Sequence, residues 1–181
     1  MNLLVSFAPF ILFAVLLHLG QPSLALWGGA AAALVLILRE RLVLGRSVKI
    51  LEAGTALLFT ALALWTAATG QAWTIPQARL VVDTGLLLIA LASLAIGQPF
   101  TLQYARESTP PEIWAQPEFL AANRQITWVW AGAFAVLVLA DAVMAFLPQV
   151  PHAVGVLLTV AALYGAFSYT KRRSEERPAQ P

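Results

Sequence analysis

Read for hydrophobic and polar positions alone, the chain is a series of apolar blocks with short polar interruptions. The blocks cover about residues 3–19, 23–38, 48–69, 79–97, 125–147 and 152–170. At 1.5 Å of rise per residue, each crosses or nearly crosses a hydrocarbon core of about 30 Å. The pattern predicts an all-α integral membrane bundle of six transmembrane helices within residues 1–170, followed by a polar tail at 171–181. The end of that tail, Ser-Glu-Glu-Arg-Pro-Ala-Gln-Pro, reads as disordered. Gly20-Gln21-Pro22-Ser23 separates the first two blocks and predicts a tight helical hairpin in place of one long helix. Ser23-Leu24-Ala25 loosely resembles a signal-peptide cleavage site. Met1-Asn2, however, sets no Lys or Arg ahead of the first block, so that block is read as a retained helix.

Composition agrees with the pattern. Of the 181 residues 60% are hydrophobic and 11% charged, where a soluble domain carries about 25% charged residues. The absence of Cys excludes disulfides, thiolate nucleophiles and Cys-based metal sites. The few basic residues lie beside apolar blocks, which argues against nucleic-acid binding.

Their distribution predicts orientation. Arg39, Arg41, Arg46 and Lys49 lie between the second and third blocks, Arg106 and Arg124 between the fourth and fifth, and Lys171, Arg172, Arg173 and Arg177 in the tail. Six crossings put all of these on one side and only Arg79 on the other; five or seven would spoil the separation. Both termini are therefore expected in the cytoplasm, in a bacterial inner membrane. Trp27, Trp65, Trp73, Trp114 and Trp128 fall near block ends, where indole rings anchor helices at the headgroups. Small residues cluster at Gly28, Gly29 and Ala30–Ala33, and again at Ala161, Ala162, Gly165 and Ala166. Such faces let helices approach closely, within the chain or in a homo-oligomer. Glu52-Ala53-Gly54 and Asp83-Thr84-Gly85 open the third and fourth blocks in similar fashion, a weak sign of repetition.

The polar connection between the fourth and fifth blocks is too long for a structureless link. Thr109-Pro110-Pro111-Glu112 has capping-box spacing and predicts a short helix over about 111–115 that holds Trp114 at the membrane interface. Pro117 followed by Glu118 is a good helix start, so the fifth helix is expected to begin near 117, ahead of the membrane. The connection is thus predicted to be a folded cytoplasmic cap, with Asn123 and Arg124 bonded to neighbouring loops.

Gly97-Gln98-Pro99-Phe100, followed by Trp114, Asn123, Trp128 and Phe134, resembles the septation-protein-A family of small multi-pass bacterial inner-membrane proteins, most sharply over 97–134. This chain carries Gln98 where that family has Lys or Arg, and its loop is longer and richer in proline. The resemblance implies a cell-envelope or septation-related scaffold without catalytic residues. Its partners would be the lipid bilayer and other membrane or division proteins. The residues of this region expected to structure the loop or contact a partner are Gln98, Pro99, Arg106, Trp114, Asn123, Arg124 and Trp128.

Charge inside a membrane is costly, about 2.5–3.5 kcal/mol at a helix centre. Glu52 lies one turn from Lys49 and Asp83 one turn from Arg79; both are read as surface ion pairs at helix ends. Asp141 has only apolar neighbours three and four residues away on its own helix. The six-span arrangement sends His18, Arg79, Asp83, Asp141 and His152 toward the outer leaflet. They form either a solvated rim or a polar pocket for an ion or proton, the basis of a transporter or channel reading. His18 and His152 as haem ligands lose to ordinary interfacial histidines. No Ser-His-Asp order, phosphate loop or His-Glu-x-x-His motif occurs. A non-enzymatic scaffold without cofactor or metal is the first expectation, and an ion- or proton-coupled transporter the alternative.

Overall fold

The computed structural model describes residues 3–147 and 149–175, with the side chains of Leu3, Leu4 and His152 outside the described set. Every regular element among the described residues is helical. Five helices are long and apolar enough to cross a membrane: Pro22–Val43, Ile50–Thr69, Ile75–Ala95, Pro117–Phe146 and Ala153–Glu175. The protein is therefore a helical membrane protein. The chain divides into two compact units, Met1–Ile89 and Ala90–Pro181.

The first predicted block does not form a helix of spanning length. It breaks into α1 (Leu3–Ser6) and α2 (Ala8–His18), which is only 11 residues long. At 1.5 Å per residue α2 covers about 17 Å, short of a hydrocarbon core. Pro9 lies in the first turn of α2, supplies no N–H and crowds the carbonyl one turn back, so the helix restarts there. Gly20 (φ 75°) then ends α2 as expected. The Gly20 and Gln21 amides donate to the Leu17 and Leu16 carbonyls, a Schellman turn, and Pro22 opens α3 (Pro22–Leu38).

Past Leu38 the helix widens into a π-turn, Arg39–Val43, where the Leu44 amide donates to the Arg39 carbonyl five residues back at 3.1 Å. After a short link come α4 (Ile50–Thr69) and α5 (Ile75–Ala95). Gly70 and a Trp73 Nε1 bond to Thr66 Oγ1 at 2.7 Å shape the turn between them.

The core of the first unit centres on Phe59, which is fully buried and packs against Phe10 and Phe13 with ring centroids 5.2 and 5.4 Å away. The small residues of α3 serve this contact, because a Cβ on Gly29 would come within 2.6 Å of the Phe59 ring and one on Gly28 within 2.6 Å of Leu16. The faint Glu-Ala-Gly and Asp-Thr-Gly similarity also has a packing role. Gly54 of α4 is covered by Ile89 of α5, and Gly85 of α5 by Leu58 of α4. Each helix offers a glycine and, four residues later, the branched side chain that covers its partner's glycine. Close backbone approach of this kind holds helices together where lipid removes the hydrophobic difference between inside and outside.

The second unit begins in the last turns of α5. Gly97 (φ 71°) and Gln98 close α5 with a second Schellman turn, their amides donating to Leu94 and Ser93. Gly-Gln-Pro therefore ends a helix and starts the next at both of its occurrences. Pro99 leads into α6 (Phe100–Arg106), an element absent from the expected layout. The predicted helix over 111–115 is a single 3₁₀ turn, Pro111–Ile113, with no side-chain cap. The capping box does not form, because the Thr109 hydroxyl turns back to the Ala105 carbonyl at 2.8 Å and closes α6.

α7 begins at Pro117, as its sequence predicts, and runs 30 residues to Phe146. That is about 45 Å, so roughly ten of its residues stand outside a 30 Å core. α8 (His152–Glu175) packs on α7. It continues past the expected end at 170, with Lys171, Arg172 and Arg173 placed favourably at the negative end of its dipole. The remainder of the predicted disordered tail, residues 176–181, lies outside the described residues. Along α8 the small-residue face is only partly used: Ala166 is buried, while a Cβ on Gly165 would meet nothing within 4 Å.

Candidate functional site

Two polar assemblies stand out, one in each unit. In the second unit a chain of buried hydroxyls fastens the cap to α7. Ser93 Oγ donates to the Ala90 carbonyl and accepts the Phe100 amide at 3.1 Å, so it caps the first turn of α6 from the preceding helix. Thr101 Oγ1 donates to the Asn123 carbonyl at 3.0 Å. It has no second proton, so in its 2.7 Å contact with Thr127 the Thr127 hydroxyl is the donor. Over the cap, the Arg106 guanidinium stacks 5.6 Å from the Trp114 ring, and Trp114 Nε1 donates to the Thr109 carbonyl.

The seven residues expected to structure this region divide. Pro99 is buried, Gln98 serves through its backbone, and Arg106 pairs with Trp114. Asn123 is buried, but its side chain donates to Phe119 on its own helix at 2.8 Å, which corrects the expected bond to a neighbouring loop. Arg124 is exposed and carries no such bond among the described residues. Trp128 is 53% exposed. The tryptophan that fastens α7 to α8 is Trp130, whose Nε1 donates to Thr170 Oγ1 at 3.0 Å. Ser93, Thr101, Thr127 and Trp130 were missed, since a hydroxyl or an indole in an apolar block carries no sign of which side it faces. The one available signal was the repeated Gly-Gln-Pro, which marks both junctions as built turns.

In the first unit the π-turn points Glu40 inward while its neighbours Arg39 and Arg41 stay exposed. Lys49 Nζ lies 3.2 Å from Glu40 Oε2 and 3.5 Å from Glu52 Oε1. Glu52 also accepts the Lys49 amide at 3.3 Å, the return half of a capping box, and the Ser6 hydroxyl at 3.2 Å. Glu40, Lys49, Glu52 and Ser6 are each at most 3% exposed. The expected Lys49–Glu52 pair is therefore present, but its reading as a surface pair is wrong: it lies inside the bundle, and Glu40 makes it a triad. Glu40 was not singled out in the sequence, where it stands nine residues from Lys49 and between Arg39 and Arg41.

The five residues assigned to an outer-leaflet pocket fall in both units. His18 is exposed at the end of α2, and Arg79 and Asp83 are half-buried one turn apart on α5. Asp141 is fully buried in α7. The His152 side chain lies outside the described residues. No group of three His, Cys, Asp or Glu residues is placed to hold a metal among the described residues. An open apolar groove of about 230 Å³ between α7 and α8 is lined by residues such as Val136, Leu139, Val143, Val154 and Leu158. It lacks the convergent polar groups of a small-molecule site. No family model, curated protein or solved structure matches the chain.

Proposed function

We propose that this protein is a non-enzymatic interaction protein of the bacterial inner membrane, a cell-envelope or septation-related scaffold that works through the cap between α5 and α7. One observation carries the reading. The cap is fastened by buried hydrogen bonds at Ser93, Thr101 and Thr127, and it exposes Glu107, Glu112 and Glu118. Ordering an irregular segment costs about 1–2 kcal/mol per residue in backbone entropy, an expense that suits a recognition surface better than a passive link. The positive-inside rule assigns the cap to the cytoplasm. That assignment does not depend on the first block. If α1 and α2 fail to cross, only the N-terminus changes side, and the separation of Arg79 from the other basic residues survives, contrary to the sequence expectation. Both termini are cytoplasmic in the six-span form of the proposal. The cytoplasmic leaflet is itself anionic, so three outward carboxylates favour a basic segment of a partner protein over lipid.

The test is photo-crosslinking in cells from probes at Ser108 and Gln116, with and without Glu107, Glu112 and Glu118 changed together to Gln. A discrete partner adduct lost in the triple variant supports the proposal. Labelling of Ser108 from outside intact cells, or no adduct from either position, refutes it.

The second reading is an ion- or proton-coupled transporter using Asp141, Asp83, His18, Arg79 and His152. The observation in its favour is the complete burial of Asp141 in a membrane-length helix. Flux in liposomes by the wild type, abolished in a folded Asp141→Asn variant, is its signature.

A further inference from the structure

The Glu40–Lys49–Glu52 triad is not used by the cap, and its charge does not balance. With all three groups ionised, two carboxylates face one ammonium, leaving one negative charge enclosed where charge is expensive. Two polar atoms point to how it is met. Glu40 Oε1 is buried and makes no hydrogen bond among the described residues, although Glu40 Oε2 is held by Lys49. Thr55 Oγ1, one turn after Glu52 on the buried face of α4, is likewise buried and makes no hydrogen bond among the described residues. A carboxylate oxygen and a hydroxyl oxygen are hard donors suited to a small cation.

We propose that the Glu40–Lys49–Glu52 cluster, with Thr55, is a binding site for one exchangeable alkali-metal cation. Glu40 supplies the charge and its second oxygen the contact. Glu52 is already occupied by Lys49, the Lys49 amide and Ser6, so Glu40 is the carboxylate left to receive the ion. Among the described residues, the charged groups around it are Lys49 and Glu52 at the start of α4 and Glu40 itself in the π-turn. Arg39, Arg41 and Arg46 are on the exposed rim, where water and salt screen them. The π-turn and the first turn of α4 shape the site, so occupancy bears on how α3 and α4 are joined.

The test uses the full-length protein purified in detergent. Thermal unfolding is followed against NaCl, KCl and N-methylglucamine chloride at equal ionic strength, and the protonated-carboxyl infrared band is recorded in N-methylglucamine buffer. A Tm that climbs with Na⁺ or K⁺ but not with N-methylglucamine identifies an alkali ion. A protonated-carboxyl band without alkali dependence overturns the proposal. The alkali dependence is lost in Glu40→Gln, which removes the surplus charge without changing shape. Glu52→Gln removes the same charge from the other side of Lys49 and gives an independent readout should Glu40→Gln fail to fold. Glu118→Gln, exposed in the second unit, keeps the signal. No alkali dependence in the wild type, or a dependence that persists in both Glu40→Gln and Glu52→Gln, likewise overturns the proposal.

Discussion

Placing a methyl group on Gly29 tests the packing of the first unit at its tightest point. The new Cβ in Gly29→Ala lies 2.6 and 2.7 Å from Phe59 Cδ1 and Cε1, well inside van der Waals contact. The ring has little room to retreat, because it is fully buried with Phe10 and Phe13 against it. Overpacking a core by about one methyl costs ~1–3 kcal/mol. Against this, Ala is favoured over Gly inside a helix by roughly 0.5–1 kcal/mol. The net expectation is a loss of about 0–2.5 kcal/mol. Gly165→Ala in α8 supplies the control, since its Cβ meets nothing within 4 Å. Only the propensity gain operates there, so that variant is stabilised. Propensity cancels between the two, and their difference isolates the overpacking cost of ~1–3 kcal/mol. For a chain of this size each kcal/mol moves Tm by about 2–4 °C. Thermal unfolding in detergent should therefore show Gly29→Ala below the wild type and Gly165→Ala at or above it. If Gly29→Ala rises as far as Gly165→Ala, Phe59 does not press on α3 and the first unit's core is packed differently.

Lys49→Met leaves two buried carboxylates facing each other without their cation. It should cost about 3–5 kcal/mol, while Lys49→Met combined with Glu40→Gln recovers part of the loss. Detergent unfolding measures both, and a tolerated single variant would contradict burial of the triad. Thr101→Val removes the link from α6 to the Asn123 carbonyl and leaves the Thr127 hydroxyl without its acceptor, a loss of about 1–3 kcal/mol. Limited proteolysis should cut residues 98–116 faster in that variant, and an unchanged cleavage rate would count against an ordered cap. Trp130→Phe loses the bond to Thr170, about 0.5–1.5 kcal/mol. Trp128→Phe, at an exposed position, stays within roughly 0.5 kcal/mol of wild type. Equal Tm shifts for the two tryptophans would reverse the roles assigned to them.

The amino-acid order by itself determined the class of the protein and most of its helix boundaries. Long uncharged runs can satisfy their backbone in a bilayer only as helices or a closed barrel, and runs of this length indicate helices. Gly20, Gly97, Pro22 and Pro117 act through their own backbone chemistry, so the ends they mark were legible locally. Burial was decided only by the tertiary structure. In a water-soluble helix an apolar stripe identifies the inner face, but lipid tails are as apolar as Leu, so both faces of a membrane helix are oily. Nothing local distinguished exposed Trp128 from buried Trp130, or an interfacial Glu40 from one drawn inward by a π-turn to meet Lys49 and Glu52. Those distinctions come from neighbours distant in sequence: Ser6 lies 46 residues from Glu52, Thr101 26 from Thr127 and Trp130 40 from Thr170. Each of these contacts forms only once the helices have packed.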